Sequence, residues 1–293
     1  MSVTYVLYNP LAANGHGNEN AHRIGEVFPD CELVYKDITV IEDLADYVDG
    51  IPNDIRVVVS GGDGTLNRLA NQYSGRDPKR EIIYFPSGSG NDFMADILSH
   101  DAPGSRYVLL NEYLKDLPTV EVKGNEYYFV NGIGYGIDGY CCEEGDKIRE
   151  KTPGKAVNYT AIALKGAFFF YHPTNATVTV DGVVHKYERV WLAPVMNGRF
   201  YGGGMMIAPD QDRLNKERSC SVVVAHNLSR LKLLILFKQI FSGTHVKNKD
   251  VIDVLTGHEI TVEFDRPTAL QIDGETVTGV LSYKTKSKIA AKK

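Results

Sequence analysis

Ser60-Gly61-Gly62-Asp63-Gly64-Thr65 is a glycine cluster built around one carboxylate. The apolar run before it, residues 56–59, predicts a buried parallel strand, and residues 66–70 after it have helical spacing and good helix formers. A strand that enters a helix through glycines presents bare backbone N–H groups and the positive end of a helix, where an anion can bind. The cluster therefore predicts a phosphate site that contains Asp63, while an ordinary tight turn is the structural alternative.

Two more loops in the first hundred residues have the same organisation. The strand-like run 81–85 leads into Pro86-Ser87-Gly88-Ser89-Gly90-Asn91-Asp92, and residues 3–8 lead into the segment 9–17, which contains Gly15 and Gly17. Parallel α/β sheets bind ligands in the crevice at the carboxyl ends of their strands. We therefore expect an α/β nucleotide-binding domain over residues 1–122, with its glycine-rich loops converging on one crevice.

The second half of the chain is dominated by strand patterns. We expect strands over residues 127–130, 176–180, 187–192, 221–225 and 259–264, and a hairpin turn at Asp181-Gly182. Two helices, over residues 158–166 and 228–241, are expected to interrupt them. These patterns predict a mostly antiparallel, β-sandwich-like domain over residues 123–278. A C-terminal segment, 279–293, is expected to follow and could return to the first domain.

Several motifs together carry a family resemblance. The Gly61–Thr65 loop, with the 86–92 loop about twenty residues later, resembles the catalytic-domain family of diacylglycerol kinases and bacterial lipid kinases, which is related to sphingosine kinases and NAD kinases. Further similarities to this family follow in the same order over nearly the whole chain, namely at Asn131–Asp138, Asn197-Gly198, Tyr201–Met205, Ala208-Pro209 and Asp273-Gly274-Glu275. The resemblance implies an NAD kinase/diacylglycerol kinase-like fold and a lipid kinase that uses ATP and Mg²⁺.

The resemblance also implies roles for individual residues. Asp273 would be the general base for the lipid hydroxyl, Glu275 would assist it or the metal, and Asp63 would be a catalytic residue that holds Mg²⁺. For an isolated Asp-Gly-Glu, a turn with solvated acids is the more common structure. Contacts with ATP are expected from Asn9, Gly61, Gly62, Gly64, Thr65, Ser87, Gly88, Ser89 and Asn91, although caps and turns are the structural alternative for the polar ones.

Three departures from the family pattern stand out. Ala13 replaces a glycine of the first loop, and no lysine follows it closely. Ser89 replaces a threonine and keeps the hydroxyl. Residues 214–218 read Leu-Asn-Lys-Glu-Arg where the family commonly has an Asp-Gly pair, so the structural magnesium that some members bind near Asn215 does not follow from this sequence.

Composition excludes several other classes. The formal net charge of −5 argues against a general nucleic-acid binder. Four cysteines without metal-ligand spacing, two of them adjacent, indicate reduced thiols in the cytoplasm. The first residues do not have the pattern of a charged segment followed by an apolar signal core, and no apolar stretch approaches the roughly 20 residues of a membrane span. We therefore expect a cytoplasmic protein that associates peripherally with membranes, and a homodimer stays open.

Three segments could contact a membrane. Residues 228–241 form an apolar helix with basic residues on one side, residues 168–171 read Phe-Phe-Phe-Tyr, and residues 284–293 contain five lysines. Either apolar segment could lie in a membrane interface, but core packing is the favoured interpretation of both. The expected function is ATP-dependent phosphorylation of a membrane lipid hydroxyl, with diacylglycerol as the acceptor. The alternatives are a soluble NAD kinase-like enzyme and a catalytically silent nucleotide- or lipid-binding protein.

Overall fold

The computed structural model describes residues 2–100, 103–152 and 157–288, except for the side chain of His100. The chain divides into two compact units between Leu117 and Pro118. No helix of the described residues is long and apolar enough to cross a membrane.

The first unit is an α/β domain. Its strands form one sheet in the order β2-β1-β3-β4-β5, in which β1 to β4 are parallel and β5 is antiparallel to β4. Its strands are β1 (Ser2–Tyr8), β2 (Cys31–Asp37), β3 (Arg56–Gly61), β4 (Ile83–Pro86) and β5 (Val108–Leu109), and its helices are α1 (Ala12–Gly15), α2 (Gly17–His22), α3 (Leu44–Gly50), α4 (Asp63–Tyr73), α5 (Asp92–His100) and α6 (Asn111–Leu114), with 3-10 turns at Arg23–Glu26 and Ile38–Val40.

The strand order places the glycine loops where this fold binds ligands. Chain order reverses between β1 and β3, which makes their carboxyl ends the topological switch point of the sheet. The strands on both sides of this point are fully buried at Val6 and Val58, and Ile83 and Phe85 of β4 continue the same core cluster. Burial on both faces explains the continuous apolar runs of these strands.

The second unit is mostly antiparallel sheet. Its strands are β6 (Thr119–Val122), β7 (Asn125–Tyr128), β8 (Gly132–Tyr135), β9 (Thr174–Val180), β10 (Val183–Val190), β11 (Val195–Met196), β12 (Phe200–Tyr201), β13 (Met205–Met206), β14 (Cys220–Ala225), β15 (Ile252–Gly257), β16 (Glu259–Ile272) and β17 (Glu275–Lys286). Its helices are α7 (Ile137–Lys151), α8 (Tyr159–Lys165) and α9 (Arg230–Ile240), with a π-helical turn at Gly166–Phe170 and a 3-10 turn at Thr244–Lys247.

Strand β16 organises the second unit. The main sheet has the order β15-β14-β11-β8-β16-β17-β6-β7, and the β9–β10 hairpin pairs with β16 as well. One core cluster lies on this sheet and includes Tyr135, Phe264 and Tyr283, whose rings stack or meet edge to face. A second cluster lies under α7, α8 and α9 around Trp191, whose Nε1 donates to the Leu228 carbonyl at 3.1 Å.

The predicted fold class is confirmed, and the structure differs from the sequence interpretation in particular elements. Helix α7 was not predicted, although its Glu143–Lys147 and Asp146–Arg149 pairs have helical spacing. Residues 119–122 pair with β7 and β17, so the structural division falls before them rather than after residue 122. Residues 279–286 continue β17 within the second unit and form no separate segment, and residues 289–293 lie outside the described part of the chain.

Candidate active site

The predicted phosphate loop joins β3 to α4. Gly61 ends the strand, Gly62 is the N-cap, and the Gly62 carbonyl accepts hydrogen bonds from the amides of Thr65 and Leu66 at 3.0 and 3.2 Å. A Cβ on Gly61 would lie 2.3 Å from Thr65 Oγ1, and a Cβ on Gly88 would lie 2.4 Å from the Gly62 Cα. Glycine is therefore required where the loops after β3 and β4 touch.

Hydrogen bonds hold the three loops together. The Asn9 amide donates to the Ser60 carbonyl at 3.0 Å, and Asn9 Nδ2 donates to Thr65 Oγ1 at 3.2 Å. The Ser87 amide donates to the Gly61 carbonyl at 2.9 Å, while Ser60 Oγ donates to Ser87 Oγ at 3.1 Å. The loops that the sequence predicts to converge do so within this unit.

The structure gives several of the predicted nucleotide contacts a role inside the loops. Asn91 Oδ1 accepts from the Gly88 amide at 3.0 Å and its Nδ2 donates to the Gly88 carbonyl at 2.8 Å, so this side chain locks its own turn. Thr65 and Ser87 are buried, whereas Gly64 and Ser89 are exposed. Gly64 and Ser89 are thus the members of the predicted set that are most open to a ligand.

Ala13 adopts a conformation that favours glycine. Its φ is +51°, and Asn14 beside it has a φ of +57°. A side chain at such a φ clashes with the following carbonyl, so alanine carries strain there of about 1–2 kcal/mol. The geometry of this loop explains why the family pattern has glycine at the position.

Asp63 is the first residue of α4 and binds a second helix. Its Oδ2 accepts from the Asp92 amide at 3.0 Å and its Oδ1 accepts from the Phe93 amide at 2.9 Å, at the start of α5. The carboxylate therefore satisfies helix N-terminal amides and joins the β3 and β4 loops. Asp63 thus has a structural role in joining the two loops, and its role in holding Mg²⁺ stays a prediction.

In the second unit, Asp273 and Gly274 form the turn of the β16–β17 hairpin. Ile272 pairs with Glu275, and the two residues between them have φ values of +46° and +99°. Positive φ at both central positions is typical of a type I′ turn, which Asp-Gly favours. The Asp-Gly turn that the sequence left as an alternative is therefore present.

The Asp273 carboxylate is nevertheless not a solvated turn acid. It accepts backbone hydrogen bonds from three consecutive residues before and in β8: from Val130 at 2.6 Å, Asn131 at 2.8 Å and Gly132 at 3.0 Å. The Asp273 amide also donates to the Gly132 carbonyl at 3.1 Å. Consecutive amides aimed at one anion form a nest, which binds the carboxylate and fixes its orientation.

Other buried polar groups hold this nest in place. Asn197 Nδ2 donates to the Val130 carbonyl at 2.8 Å, and the buried Arg213 guanidinium donates to the Val130 carbonyl and to Asn131 Oδ1, both at 3.2 Å. Gln271 Oε1 accepts from the Gly274 amide at 2.7 Å and fixes the turn from the other side. The Asn131 and Asn197 motifs, distant in sequence, thus meet around Asp273.

Glu275 lies exposed at the start of β17.

Asp138 is a second buried carboxylate in this unit. Both of its carboxylate oxygens are inaccessible to solvent, and burial raises its pKa to about 6, opposed by the Gly139 amide and the Tyr201 hydroxyl. A Cβ on Gly134 would lie 1.7 Å from Asp138 Oδ2 and 2.6 Å from Gln271 Nε2. Because Gly134 has no side chain, the Asp138 carboxylate and the Gln271 side chain can both lie against its backbone. Gln271 is the residue that fixes the Asp273 turn.

The segment around Asn215 does not fit a structural cation. Asn215 Nδ2 donates to the carbonyls of Asp212 at 2.6 Å and Ser219 at 3.0 Å, and Asn215 Oδ1 accepts from the Ser219 amide at 3.1 Å. An amide nitrogen thus lies where a cation would bridge these two carbonyls. The loop is closed by side-chain hydrogen bonds instead of a metal.

A catalytic Mg²⁺ poses a different question, because nucleotide-bound Mg²⁺ needs only one or two carboxylates beside the phosphates. In the described part of the chain, no group of three His, Cys, Asp or Glu side chains could enclose a metal ion. The residues are compatible with an ion that arrives with the nucleotide, and Asp63 is the residue that would hold it.

Comparisons with known proteins agree with this geometry. Residues 3–122 match the diacylglycerol kinase catalytic domain, and residues 131–286 match the YegS C-terminal NAD kinase beta sandwich-like domain. The chain belongs to this family of lipid kinases. The predicted family and the predicted enzyme class are confirmed.

Curated relatives and a solved structure are similar over most of the chain. "Putative lipid kinase YtlR" of Bacillus subtilis is 25% identical over 250 residues, which is 79% of this chain and 77% of that protein. "Diacylglycerol kinase" of Mycobacterium tuberculosis is 26% identical over 263 residues, 84% of this chain and 80% of that protein. A crystal structure of a diacylglycerol kinase from Bacillus anthracis superposes with a TM-score of 0.58 at 17% identity, covering 99% of this chain and 94% of that one, which shows the fold.

Sequence reasoning missed the residues that support the site. Arg213 and Gln271 lie in no motif, and their contacts with the nest and the turn depend on chain pairing that a single sequence does not reveal. Asn131, Asp138 and Asn197 were part of recognised motifs but had no assigned role. Their signal was the presence of polar side chains in glycine-rich runs beside buried strands.

Proposed function

We propose that the protein transfers the γ-phosphoryl group of ATP to the hydroxyl of a membrane lipid, and that the lipid is diacylglycerol. Membership of the lipid kinase family and the name of the mycobacterial relative support the proposal. The observation that carries it is the Asp273 carboxylate, held by the amides of residues 130–132 at the tip of a tight hairpin.

The first unit would bind ATP through its glycine loops. Backbone amides at the start of α4 and the positive end of that helix suit the phosphate groups, and the switch point between β1 and β3 is where such sheets bind nucleotides. Mg²⁺, when bound, neutralises charge on the phosphates. Asp63 would hold that ion while it keeps the start of α5 in position.

Asp273 would orient the lipid hydroxyl and take up its proton. Phosphoryl transfer passes through a loose transition state, so the acid beside the nucleophile acts chiefly by positioning it. A carboxylate held by three backbone amides has a fixed orientation, which suits it to position the hydroxyl. Glu275, two residues along the hairpin, would assist from the adjoining strand.

An acceptor panel tests the proposal. Purified protein is mixed with ATP and Mg²⁺, and ADP release is measured with diacylglycerol in mixed micelles, with sphingosine in the same micelles, and with NAD in solution. We expect diacylglycerol to stimulate ADP release most and to yield a phosphate monoester. Turnover of NAD alone would identify a soluble NAD kinase-like enzyme, and no turnover with any acceptor would indicate a silent binding protein.

A further inference from the structure

A cluster of apolar side chains in the second unit is exposed instead of packed. In the π-helical turn, Phe169 is 70% and Phe170 is 63% exposed, with Phe168 beside them also exposed. On α9, Leu231 is 70% and Ile235 is 55% exposed. The interpretation of these segments as core is therefore wrong for Phe168–Phe170 and correct for only one side of α9.

Both elements are anchored to the core by their opposite faces. Leu233, Leu236 and Ile240 of α9 are buried in the cluster around Trp191, as are Ala167 and Tyr171 on either side of the phenylalanines. Leu231 and Ile235 are four residues apart, so they share the outward face of the helix. Core packing thus accounts for the inward residues and not for the outward ones.

The π-helical turn and the start of α9 are joined. Arg230 donates to the carbonyls of Ala167 and Tyr171, and its guanidinium lies 5.5 Å from the centre of the Trp191 ring. A Cβ on Gly166 would lie 2.6 Å from the Tyr140 ring, so glycine is needed where this turn packs on α7. We name the side chains of Phe168, Phe169, Phe170, Leu231 and Ile235 the apolar patch.

The basic residues near the apolar patch indicate what kind of surface it binds. Residues 157–173 and 228–242, which carry the patch, contain Lys165, Arg230, Lys232 and Lys238 and no acidic residue, in a chain with a net charge of −5. Lys232 forms an ion pair with Asp250, and Lys165 and Lys238 are exposed. Exposed aromatic side chains with cations nearby suit the interface of an anionic membrane, which accepts the rings and attracts the cations.

We propose that the apolar patch is the surface by which the protein docks on anionic membranes. Phe169 and Phe170 enter the interfacial region, and the lysines bind lipid phosphates. The inference deepens the proposed function, because diacylglycerol resides in such membranes, but the docking requires no turnover. Of the C-terminal lysines, Lys284 is paired with Glu259 at 2.7 Å, and Lys292 and Lys293 lie outside the described residues.

Vesicle co-sedimentation tests the docking surface. The wild-type protein, Phe169→Ser/Phe170→Ser and the matched control Val183→Ser/Val184→Ser are each mixed with vesicles of phosphatidylglycerol and phosphatidylcholine. The control removes two apolar side chains of similar exposure from strand β10. We expect the patch variant to lose at least about tenfold in vesicle affinity and the control to bind like the wild type. Lys165→Glu/Lys238→Glu should bind less, as should the wild type at high salt.

Two further measurements separate docking from catalysis and from self-association. With a short-chain diacylglycerol dissolved as monomers, the patch variant should turn over like the wild type. If the wild type phosphorylates neither this lipid nor diacylglycerol in mixed micelles, the proposed function fails, while the docking proposal is judged on the vesicles. Equal vesicle binding by wild type and patch variant would overturn the docking proposal. A wild-type dimer that the patch substitutions dissociate, with vesicle binding unchanged, would assign the patch to a second copy of the chain.

Discussion

Asp273 is a turn residue whose carboxylate is bound by backbone amides. It occupies a left-handed position in a two-residue turn, and its carboxylate is held by the amides of residues 130–132, which lead into strand β8. The Asp-Gly pair was readable from the sequence. The nest was not, because it depends on β8 pairing with β16, a contact between residues about 140 positions apart.

Asp138 makes stability depend on pH. Burial raises the pKa of its carboxyl from 3.8 to about 6, so the folded state binds that proton more tightly than the unfolded state does. The stabilisation by this proton is complete below about pH 4 and is lost as the pH rises through about 6. The charged form at neutral pH thus lowers the free energy of unfolding.

Replacement of Asp138 by asparagine should therefore stabilise the protein in alkaline buffer. We expect Asp138→Asn to raise the free energy of unfolding by up to about 3 kcal/mol at about pH 8 and by about half as much at about pH 5, measured by urea unfolding. Asp146→Asn, which removes an exposed acid from the same helix, is the control and should show little difference between the two buffers. A gain for Asp138→Asn that is equal at both pH values would contradict the assignment.

At the scale of elements, the contact between the β3 and β4 loops depends on glycine. A Cβ on Gly88 would meet the Gly62 backbone, whereas nothing lies within 4 Å of a Cβ on Gly50 at the end of α3, away from the glycine loops. Gly88→Ala should therefore weaken ATP binding about tenfold or more by forcing the loops apart, and Gly50→Ala should leave it nearly unchanged. Titration calorimetry measures both, and equal ATP affinity in the two variants would mean that the loop contact does not shape the nucleotide site.

A second prediction at this scale concerns the stability of the 212–219 segment. Asn215→Asp replaces the amide that bridges two carbonyls with a carboxylate, and should cost about 1–3 kcal/mol of stability. A divalent cation should recover part of that loss, because the carboxylate and both carbonyls then converge on it.

Thermal unfolding in Mg²⁺ or in chelator checks this expectation. Asn215→Ala loses the same hydrogen bonds without adding a charge, so it should be destabilised and show no recovery in Mg²⁺. The wild type without nucleotide should unfold at the same temperature in both buffers. A wild-type unfolding temperature that falls in chelator would show that this loop needs a metal after all.

The sequence predicts secondary-structure elements correctly where a local pattern of residues determines them. The β9–β10 hairpin turns at Asp181-Gly182, as its composition predicts. Strand β16 runs to Ile272, beyond its alternating residues, because its later part pairs with β8 in the middle of the sheet. Helix α7 was missed since it is amphipathic only weakly and begins within a glycine motif, where local propensity favours a turn.

For the whole molecule, the order of motifs carried more information than any single motif. Each glycine loop and the Asp-Gly turn have common structural explanations, and the structure shows that Thr65, Ser87 and Asn91 are used within the loops. Two family domains that together span residues 3–122 and 131–286 nevertheless match in the predicted order. Surface properties were the least predictable, because hydrophobicity alone does not distinguish the buried from the exposed side of α9.

Phosphoryl transfer by the Asp273→Asn variant tests the account most directly. ATP carrying radioactive phosphorus at the γ position is supplied with diacylglycerol micelles, and label in the extracted lipid is counted for the wild type and the variant. Asparagine turns an amide donor toward the nest, so the folded fraction and ATP affinity are measured in parallel. The account predicts label in phosphatidic acid from the wild type, and a kcat lower by about 10² to 10⁴ in the folded variant with ATP affinity nearly intact. Near-normal transfer by the variant, or no lipid labelled by the wild type, would contradict it.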